Sequence, residues 1–473
     1  MRDRKLVIEN FAGIKSAELE VNDITILIGP QASGKSVIAK LVYFFEDFWN
    51  VSTLLRPELR SDKFSGSNKP WTGDFKKRFE TAKINIFKSF FPPESWTEKF
   101  SIEYRRTNTL FRVFKLKRSP DLNIEIEGGE DDLENLHKIV QIREEYSKLK
   151  WEQKSLYSRI YQKKKLLHEL SNMPRERQVL EHILQLQNEI QEIEEKLKRL
   201  EERYKRLSID EVVYHELLVL YQEKNIFIPA SRSFFALLKE SFFKLLEADV
   251  TIDPFVINFG KHWENAKALF QTEKFSDLFK RFVKAKYIYE RETEFLLHND
   301  LRKVPLFMAS SGQQELLPVL MVLKYLEVTQ EITASTNFVF FEEPETHLFP
   351  ETQKHLVEFI SEVFNSNPGL KFFITTHSPY ILTSFNNLIY AAYISSKSGQ
   401  NEAKLGKLKN VIPQNRWIPP DRISTYAIDP RKGAYRIQEK ETGLISQTII
   451  DDISDKISME FEELLSIEFD DER

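Results

Sequence analysis

The chain of 473 residues has no cysteine, which excludes disulfides, zinc–thiolate sites and thiol chemistry. No apolar run reaches the roughly 18 residues of a membrane-spanning helix. Met1-Arg2-Asp3-Arg4-Lys5 leads into a strand pattern and not into the apolar core of a signal peptide. A cytoplasmic protein with no membrane partner is therefore expected. There is no Asp-x-Asp, and the nine histidines make no HxH or HExxH pair, so the usual hydrolytic metal sets are missing. Excess charge is small overall at −4, but unevenly placed. Residues 76–118 hold twelve Lys/Arg against four Glu, and residues 451–473 hold ten Asp/Glu against two Lys/Arg. The basic stretch is interleaved with Phe79, Phe87, Phe90, Phe91, Trp96, Phe100, Tyr104, Phe111 and Phe114. It reads either as a surface tracking a nucleic-acid backbone or as a solvated face over a Phe-rich core. In the acidic tail Ile453, Ile457, Phe461, Leu464 and Leu465 recur at helical spacing, which predicts a short amphipathic helix.

The chemistry that is present lies in a few short strings. Gly29-Pro30-Gln31-Ala32-Ser33-Gly34-Lys35-Ser36 matches GxxxxGK[ST], with the apolar run Ile24–Ile28 before it and a helical pattern from Val37 after it. Small residues let backbone N–H groups close around phosphate oxygens. Lys35 supplies a cation to the β and γ phosphates, and the Ser36 hydroxyl can ligate Mg²⁺. Phe338-Val339-Phe340-Phe341-Glu342-Glu343 describes a fully buried strand that delivers two carboxylates at its C-terminal edge, where open α/β sheets bind ligands. Glu342 suits the second ligand of Mg²⁺, and Glu343 suits the base for an attacking water. A second buried strand, Phe372–Thr375, places His377 where it can sense the γ-phosphate or orient that water.

Between these strings the chain is read as strands at 5–10 and 15–21, a helix over 38–60, a loop over 61–73, and three short strands near 100–105, 110–117 and 122–127. Val179, Ile183, Leu186, Ile190, Ile193, Leu197, Leu200, Tyr204 and Leu207 alternate spacings of four and three. Upstream Ile139, Ile142, Tyr146, Leu149, Leu156, Ile160, Leu167 and Leu170 fit the same heptad register, with Gln153 and Lys163 as polar interruptions. Ser171-Asn172-Met173-Pro174 is the turn between two antiparallel helices. Another helix over 211–223 is expected, and residues 234–305 read as largely helical. The fold class is thus α/β, with an inserted antiparallel coiled-coil hairpin. The expected divisions are 1–130, 131–208 for the hairpin, 209–395, and 396–473 as a C-terminal extension.

In order along the chain, the P-loop, the coiled-coil insertion, Ser310-Ser311-Gly312-Gln313-Gln314, the strand ending in Glu-Glu-Pro-Glu-x-His-Leu and the strand ending in Thr-Thr-His-Ser-Pro resemble ABC-class ATPases of the SMC, RecF and OLD type. The resemblance implies an ABC-type head that binds and hydrolyses ATP with Mg²⁺. It places Ser311, Gly312 and Gln314 in the signature that contacts nucleotide held by a second subunit, so a homo-oligomer built on ATP-sandwich heads is implied. His377 stands as the switch histidine, and Gln313 departs from the usual second signature glycine. No Q-loop glutamine is evident, and Arg232, in Pro-Ala-Ser-Arg-Ser, is a candidate substitute. Glu-Pro-Glu-x-His-Leu and Pro-Ala-x-Arg-Ser look most like OLD-type ATPases and the standalone ATPase subunits of bacterial anti-phage systems such as Septu and PARIS. A TOPRIM nuclease is not found, so the expected role is a sensor or scaffold that controls a separate effector. The alternative is a RecF- or SMC-like repair or chromosome-maintenance ATPase that clamps DNA. A transporter ATPase is disfavoured by the coiled-coil insertion.

Overall fold

The computed structural model describes residues 4–50, 75–117, 119, 121–174, 176–221, 225–233, 252–271, 276–290, 293–329, 337–399, 401–439, 441–446 and 458–464. The chain forms two compact units. One comprises Met1–Phe48, Ile86–Gly128 and Lys224–Arg473, and the other Trp49–Asn85 and Gly129–Glu223.

The first unit opens with β1 (Arg4–Phe11), β2 (Ile14–Glu20), β3 (Ile24–Ile28) and α1 (Lys35–Glu46). After α2 (Phe75–Phe90), through which the division between units passes, come β4 (Phe100–Arg106), β5 (Thr109–Lys115) and β6 (Leu122–Glu127). The second unit is dominated by α3 (Glu130–Ser171) and α4 (Arg177–Tyr221). The chain returns through β7 (Ile226–Ile228), α5 (Pro254–Lys267), α6 (Ser276–Val283), β8 (Ala285–Glu290), β9 (Thr293–His298) and β10 (Lys303–Pro305). It then forms α7 (Ser311–Thr329), β11 (Asn337–Glu342), α8 (Pro350–Ser366), β12 (Leu370–Thr376), α9 (Pro379–Lys397), α10 (Glu402–Val411), β13 (Ile423–Asp429) and β14 (Gly433–Arg436).

The central sheet has the order β14-β13-β3-β12-β11-β7, with five parallel strands and the antiparallel β14 at one edge. Every residue of β3 and β11 is buried, as parallel strands covered on both faces must be. On one face α5, α7, α8 and α9 bury Phe259, Leu320, Val357 and Phe385 against Ile26, Ile228, Phe341 and Ile374. On the other, Tyr43 of α1 meets the rings of Phe227 and Phe340 edge-on at 5.8 and 5.4 Å. Each such ring, fully withdrawn from water, contributes about 1.5–3 kcal/mol.

A second sheet, β2-β1-β4-β5-β6, is antiparallel throughout and buries alternate residues. Leu6, Ile8, Ile102, Tyr104, Phe111 and Val113 are buried along it, and Tyr104 and Phe111 meet the rings of α1 and the turn after it. Phe45 stacks on Tyr104 at 5.1 Å, and Phe48 lies 4.6 Å from Phe111. Most aromatics interleaved in the basic stretch are therefore core: Phe79, Phe87, Phe91, Phe100, Tyr104 and Phe111 are buried, and Phe90, Trp96 and Phe114 are half-buried. Arg112, near the end of that stretch, is engaged by Glu103, Glu125 and Glu127.

Residues 285–305 correct the helical expectation. They form a small antiparallel sheet, β10-β9-β8, because Ala285 and Tyr287 alternate with polar or half-buried neighbours and Leu296 faces the same core.

In the second unit α3 spans about 60 Å at 1.5 Å per residue. Glu130, Asp131 and Asp132 line its first turn, where acidic groups suit the helix dipole. Ion pairs Lys164–Glu194 and Arg203–Glu145, at 2.7 and 3.4 Å, and a close Lys163–Glu189 pair show that the helices run antiparallel, since Glu145 early on α3 meets Arg203 while Lys163 and Lys164 further on meet the lower-numbered Glu189 and Glu194. Seam residues Ile139, Leu149, Ile160, Leu186, Ile190, Ile193 and Leu200 are buried. The side chains of Tyr146, Tyr204 and Leu207 lie outside the description.

Two expected boundaries move. α4 continues to Tyr221 with no break at 208 and no separate helix from 211. The boundary at 395 falls inside α9, and β13 beyond it pairs in parallel with β3, so residues 396 onward are not an appendage. The expected 61–73 loop lies outside the described residues. So do Ile453, Ile457 and Leu465 of the tail, of which 458–464 is helical with Met459, Phe461 and Leu464 exposed. Among the described residues no helix is long and apolar enough to cross a membrane.

Candidate nucleotide site

The elements that carry the predicted residues end at one edge of the central sheet. β3 runs into the loop Gly29–Gly34, where Gly34 has φ +94° and Ala32 has φ +56°. A Cβ on Gly29 would lie 2.4 Å from the Ile428 carbonyl oxygen, and one on Gly34 would lie 2.7 Å from the Ile14 side chain. Both contacts demand glycine and hold the loop tight against β13 and β2. α1 then starts at Lys35 with no acidic residue in its first turn, so its positive end faces the loop unneutralised.

Lys35 is buried, and its ammonium donates to the carbonyls of Gly29 and Pro30 at 2.9 and 2.8 Å. Burial pulls its pKa down to about 8, against the pull of Glu343 and Glu345 in the other direction. His377, just beyond β12, has Nδ1 3.4 Å from Lys35 Nζ and Nε2 3.0 Å from Glu343 Oε1. An ammonium can only donate, so Nδ1 accepts and Nε2–H donates to the carboxylate. Groups carried by β3, β12 and β11 are thereby joined in one chain, Lys35–His377–Glu343. The His377 amide donates to Glu345 at 2.5 Å, which ties the ends of β12 and β11 together.

Glu342, the last residue of β11, is buried. Burial pushes its carboxyl pKa up, while a hydrogen bond from Ser36 acts the other way. Its Oε2 accepts from the Ala230 amide at 3.4 Å, and its Oε1 is buried with no hydrogen-bond partner. A hydroxyl beside a carboxylate with an unmet oxygen is a donor pair suited to a hard, oxygen-seeking cation such as Mg²⁺, which takes its remaining ligands from phosphate and water. The residues present fit that ion.

Glu343 sits at φ +43° and His347 at φ +55°, both in the left-handed region that costs a non-glycine residue free energy. This turn is braced by Arg232, which is 1% exposed. Its guanidinium donates to the carbonyls of Pro229, Glu342 and Glu343 at 3.2, 3.1 and 3.1 Å, and pairs with Glu315 at 3.1 Å. Arg232, the candidate substitute for a Q-loop glutamine, instead has both terminal nitrogens on backbone carbonyls.

Ser311 and Gly312 open α7, with Ser311 exposed. A Cβ on Gly312 would lie 2.8 Å from the His347 carbonyl oxygen, so α7 begins directly on the Glu343–His347 turn. Gln314 differs from expectation, because its amide is turned inward onto the carbonyls of Phe307 and Ala309 at 2.9 and 3.0 Å. Gln313 similarly donates to Val283 at 2.8 Å. Both glutamines hold the loop before α7 in place. Among the described residues no hydrogen bond joins Ser311, Gly312 or Gln314 to the P-loop of the same chain. Sequence reasoning missed Glu315 and the role of Arg232; a lone Glu inside an apolar helix, beside Gln314, was the available signal.

A glycine-closed loop opening a helix, a lysine within it, and two carboxylates from a neighbouring parallel strand define a P-loop nucleotide-hydrolase head. The chain belongs to the AAA ATPase domain family, whose family model matches residues 1–382. No curated protein matches the sequence. Similar solved structures include the Smc head domain with a coiled coil and joint derived from Pyrococcus yayanosii, at 11% identity and TM-score 0.38, covering 95% of this chain and 99% of that one. The recombination mediator protein RecF of the RecFOR pathway appears in two forms. RecF-ATPrS has 13% identity, TM-score 0.25 and coverage of 79% and 92%. RecF-ATP has 13% identity, TM-score 0.26 and coverage of 79% and 93%. At this level of overlay the family assignment rests on the domain match alone.

Proposed function

We propose that this ATPase is an ABC-type switch that hydrolyses Mg·ATP at Lys35, Ser36, Glu342, Glu343 and His377, and passes its nucleotide state to a separate effector protein. The observation that carries the catalytic part is the Lys35–His377–Glu343 chain beside the Ser36–Glu342 pair. In this reading the loop 29–34 and the start of α1 hold the phosphates, and Lys35 leaves the carbonyls of Gly29 and Pro30 for them. Glu343 takes the proton of the attacking water, and His377 keeps that carboxylate aimed while reporting the terminal phosphate. Mg²⁺, held by Ser36 and Glu342, would neutralise charge on the β and γ phosphates. Ser311 and Gly312 engage nucleotide on a second copy of the chain, so the working unit is at least a dimer.

The effector is read as a nuclease or toxin in bacterial anti-phage defence. Support comes from the likeness of Glu343-Pro344-Glu345-Thr346-His347-Leu348 and Pro229-Ala230-Ser231-Arg232-Ser233 to OLD-type strings, and from the long hairpin as an arm for a partner. The DNA-clamp alternative draws on the same ATPase family match, and the burial of most aromatics in the basic stretch weakens only the reading of that stretch as a nucleic-acid surface.

Turnover and binding of ATP by Lys35→Ala and Glu343→Gln test the site. The first should lose binding, and the second should bind ATP and hold it; equal loss of binding in both would overturn the roles. Co-purification of a neighbouring nuclease or toxin favours the effector reading, and ATPase stimulation by duplex DNA favours the clamp.

A further inference from the structure

The exposed start of α7 is connected to the carboxylate turn by a chain of polar side chains that the hydrolytic chemistry itself does not use. Glu315, in the second turn of α7, has a side chain 2% exposed, and its pair with Arg232 is an ion pair without hydrogen-bond alignment. One oxygen faces Arg232 Nε at 3.1 Å, and the other faces His347 Nδ1 at 3.3 Å. The His347 side chain is 58% exposed, so the chain runs from solvent to the buried interior in three residues. At its inner end Arg232 holds the backbone carbonyls of both Glu342 and Glu343. Its guanidinium carbon lies over the Phe341 ring, 5.3 Å from the ring centre.

We infer that His347, Glu315 and Arg232 are positioning residues that couple the exposed start of α7 to the Glu343 carboxylate, so that a phosphate docking against Ser311 sets the aim of the catalytic base. This rests on the proposed engagement of Ser311 with nucleotide on a second copy. Two mechanical contacts support it. The Gly312 backbone abuts the His347 carbonyl, and Glu315, three residues later on the same helix, grips the His347 ring. A small displacement of the first turn of α7 is thus delivered both to the His347 backbone and to its side chain. The turn that receives it carries two left-handed residues, Glu343 and His347, and is held in that conformation by its neighbours. Loosening Arg232 releases the carbonyls of residues 342 and 343, and with them the backbone that aims Glu343 at His377, now 3.0 Å distant. A carboxylate that moves by an ångström as a general base loses rate without the nucleotide losing affinity.

A solely structural brace predicts a different pattern, which full-length protein distinguishes. Three variants serve: His347→Ala, Arg232→Met/Glu315→Met, and all three changes together. Replacing both buried ions at once avoids leaving either charge alone in the interior. Readouts are Tm, the Kd of a slowly hydrolysed ATP analogue, and kcat and KM for ATP. Coupling predicts that His347→Ala lowers kcat about fivefold and the paired change about fiftyfold, each with Kd within about threefold of the parent. It also predicts that adding His347→Ala to the paired change lowers kcat by less than about twofold further, because the route is already cut. His347→Gln, which keeps a donor toward Glu315, should recover most of the kcat lost in His347→Ala. Full additivity of the two changes, or unchanged kcat in His347→Ala, overturns the inference. Should the paired variant not fold, His347→Ala and its rescue by glutamine decide alone, since that side chain is largely exposed. A parent protein that hydrolyses no ATP would instead refute the proposed function, whereas a parent that turns over ATP alongside a fully active His347→Ala refutes only the coupling.

Discussion

The two large sheets of the first unit are built from opposite patterns and have opposite relations to the site. In the central sheet β3 and β11 are buried at every position, and no residue along them is spared for solvent. The antiparallel sheet alternates, and its outward positions carry charged pairs such as Arg112 with Glu103. A parallel strand covered on both faces can offer function only where it stops. Lys35, Arg232, Glu342 and His377 accordingly all follow, or lie at, the C-terminal ends of β3, β7, β11 and β12. The antiparallel sheet, wetted on one face, offers no such convergence; it supports α1 from the side, through Phe45 on Tyr104.

The comparison is broken most severely at a strand end. Glu343→Gln should lower ATP turnover by about 10²–10⁴, with binding retained, as rapid-quench and filter-binding measurements would show. Next in size are two buried phenylalanines, each 0% exposed, one in each sheet: Phe340 and Phe111. Either change to Ala should cost about 3–5 kcal/mol in urea unfolding. Only Phe340→Ala should also weaken nucleotide binding beyond what unfolding explains, because β11 carries the carboxylates; equal effects on affinity would erase the contrast between the sheets.

Smaller is the response to pH. Lys35, with its pKa near 8, is charged below that value and increasingly neutral above it. Phosphate needs the charged form, so affinity should weaken about tenfold from pH 7 to pH 9, with proton uptake on binding seen by calorimetry in buffers of different ionisation enthalpy. Exchange for a short Gly/Ser link of residues 130–221, the span of α3 and α4, should leave nucleotide affinity within about threefold, because the hairpin buries its own seam. The smallest effect is expected for Arg112→Ala, where an exposed pair network is lost and Tm should not shift resolvably.

Where the sequence was legible, the reason is local. A P-loop declares itself because the loop needs particular small residues and one lysine, and Gly29 and Gly34 indeed have no space for a Cβ. The heptad seam was visible because its period is set by neighbours three and four apart. What escaped depends on partners distant in the chain. Arg232 looked like a nucleotide ligand because nothing in Pro-Ala-Ser-Arg-Ser shows that Glu342 and Glu343, more than a hundred residues later, present it with carbonyls. Gln314 sits at the right place in a motif, yet its orientation is decided by the carbonyls of Phe307 and Ala309. The β8–β10 sheet hides in a span that reads as largely helical because its strands are short and lie between helical segments.

β13 lies within the span expected as a C-terminal extension, and its place in the central sheet has a temporal consequence. It is the parallel neighbour of β3 on the side opposite β12, and its Ile428 carbonyl lies where it fixes Gly29. Roughly 400 residues separate the end of β3 from the end of β13. At ribosomal speeds of about 5–20 residues per second, the P-loop therefore waits about 20–80 s for the strand that closes it. During that interval a nascent chain carries the lysine and the glycines but not the floor beneath them. A ribosome that stalls before residue 429 would leave a chain that carries the motif and lacks the seat for ATP.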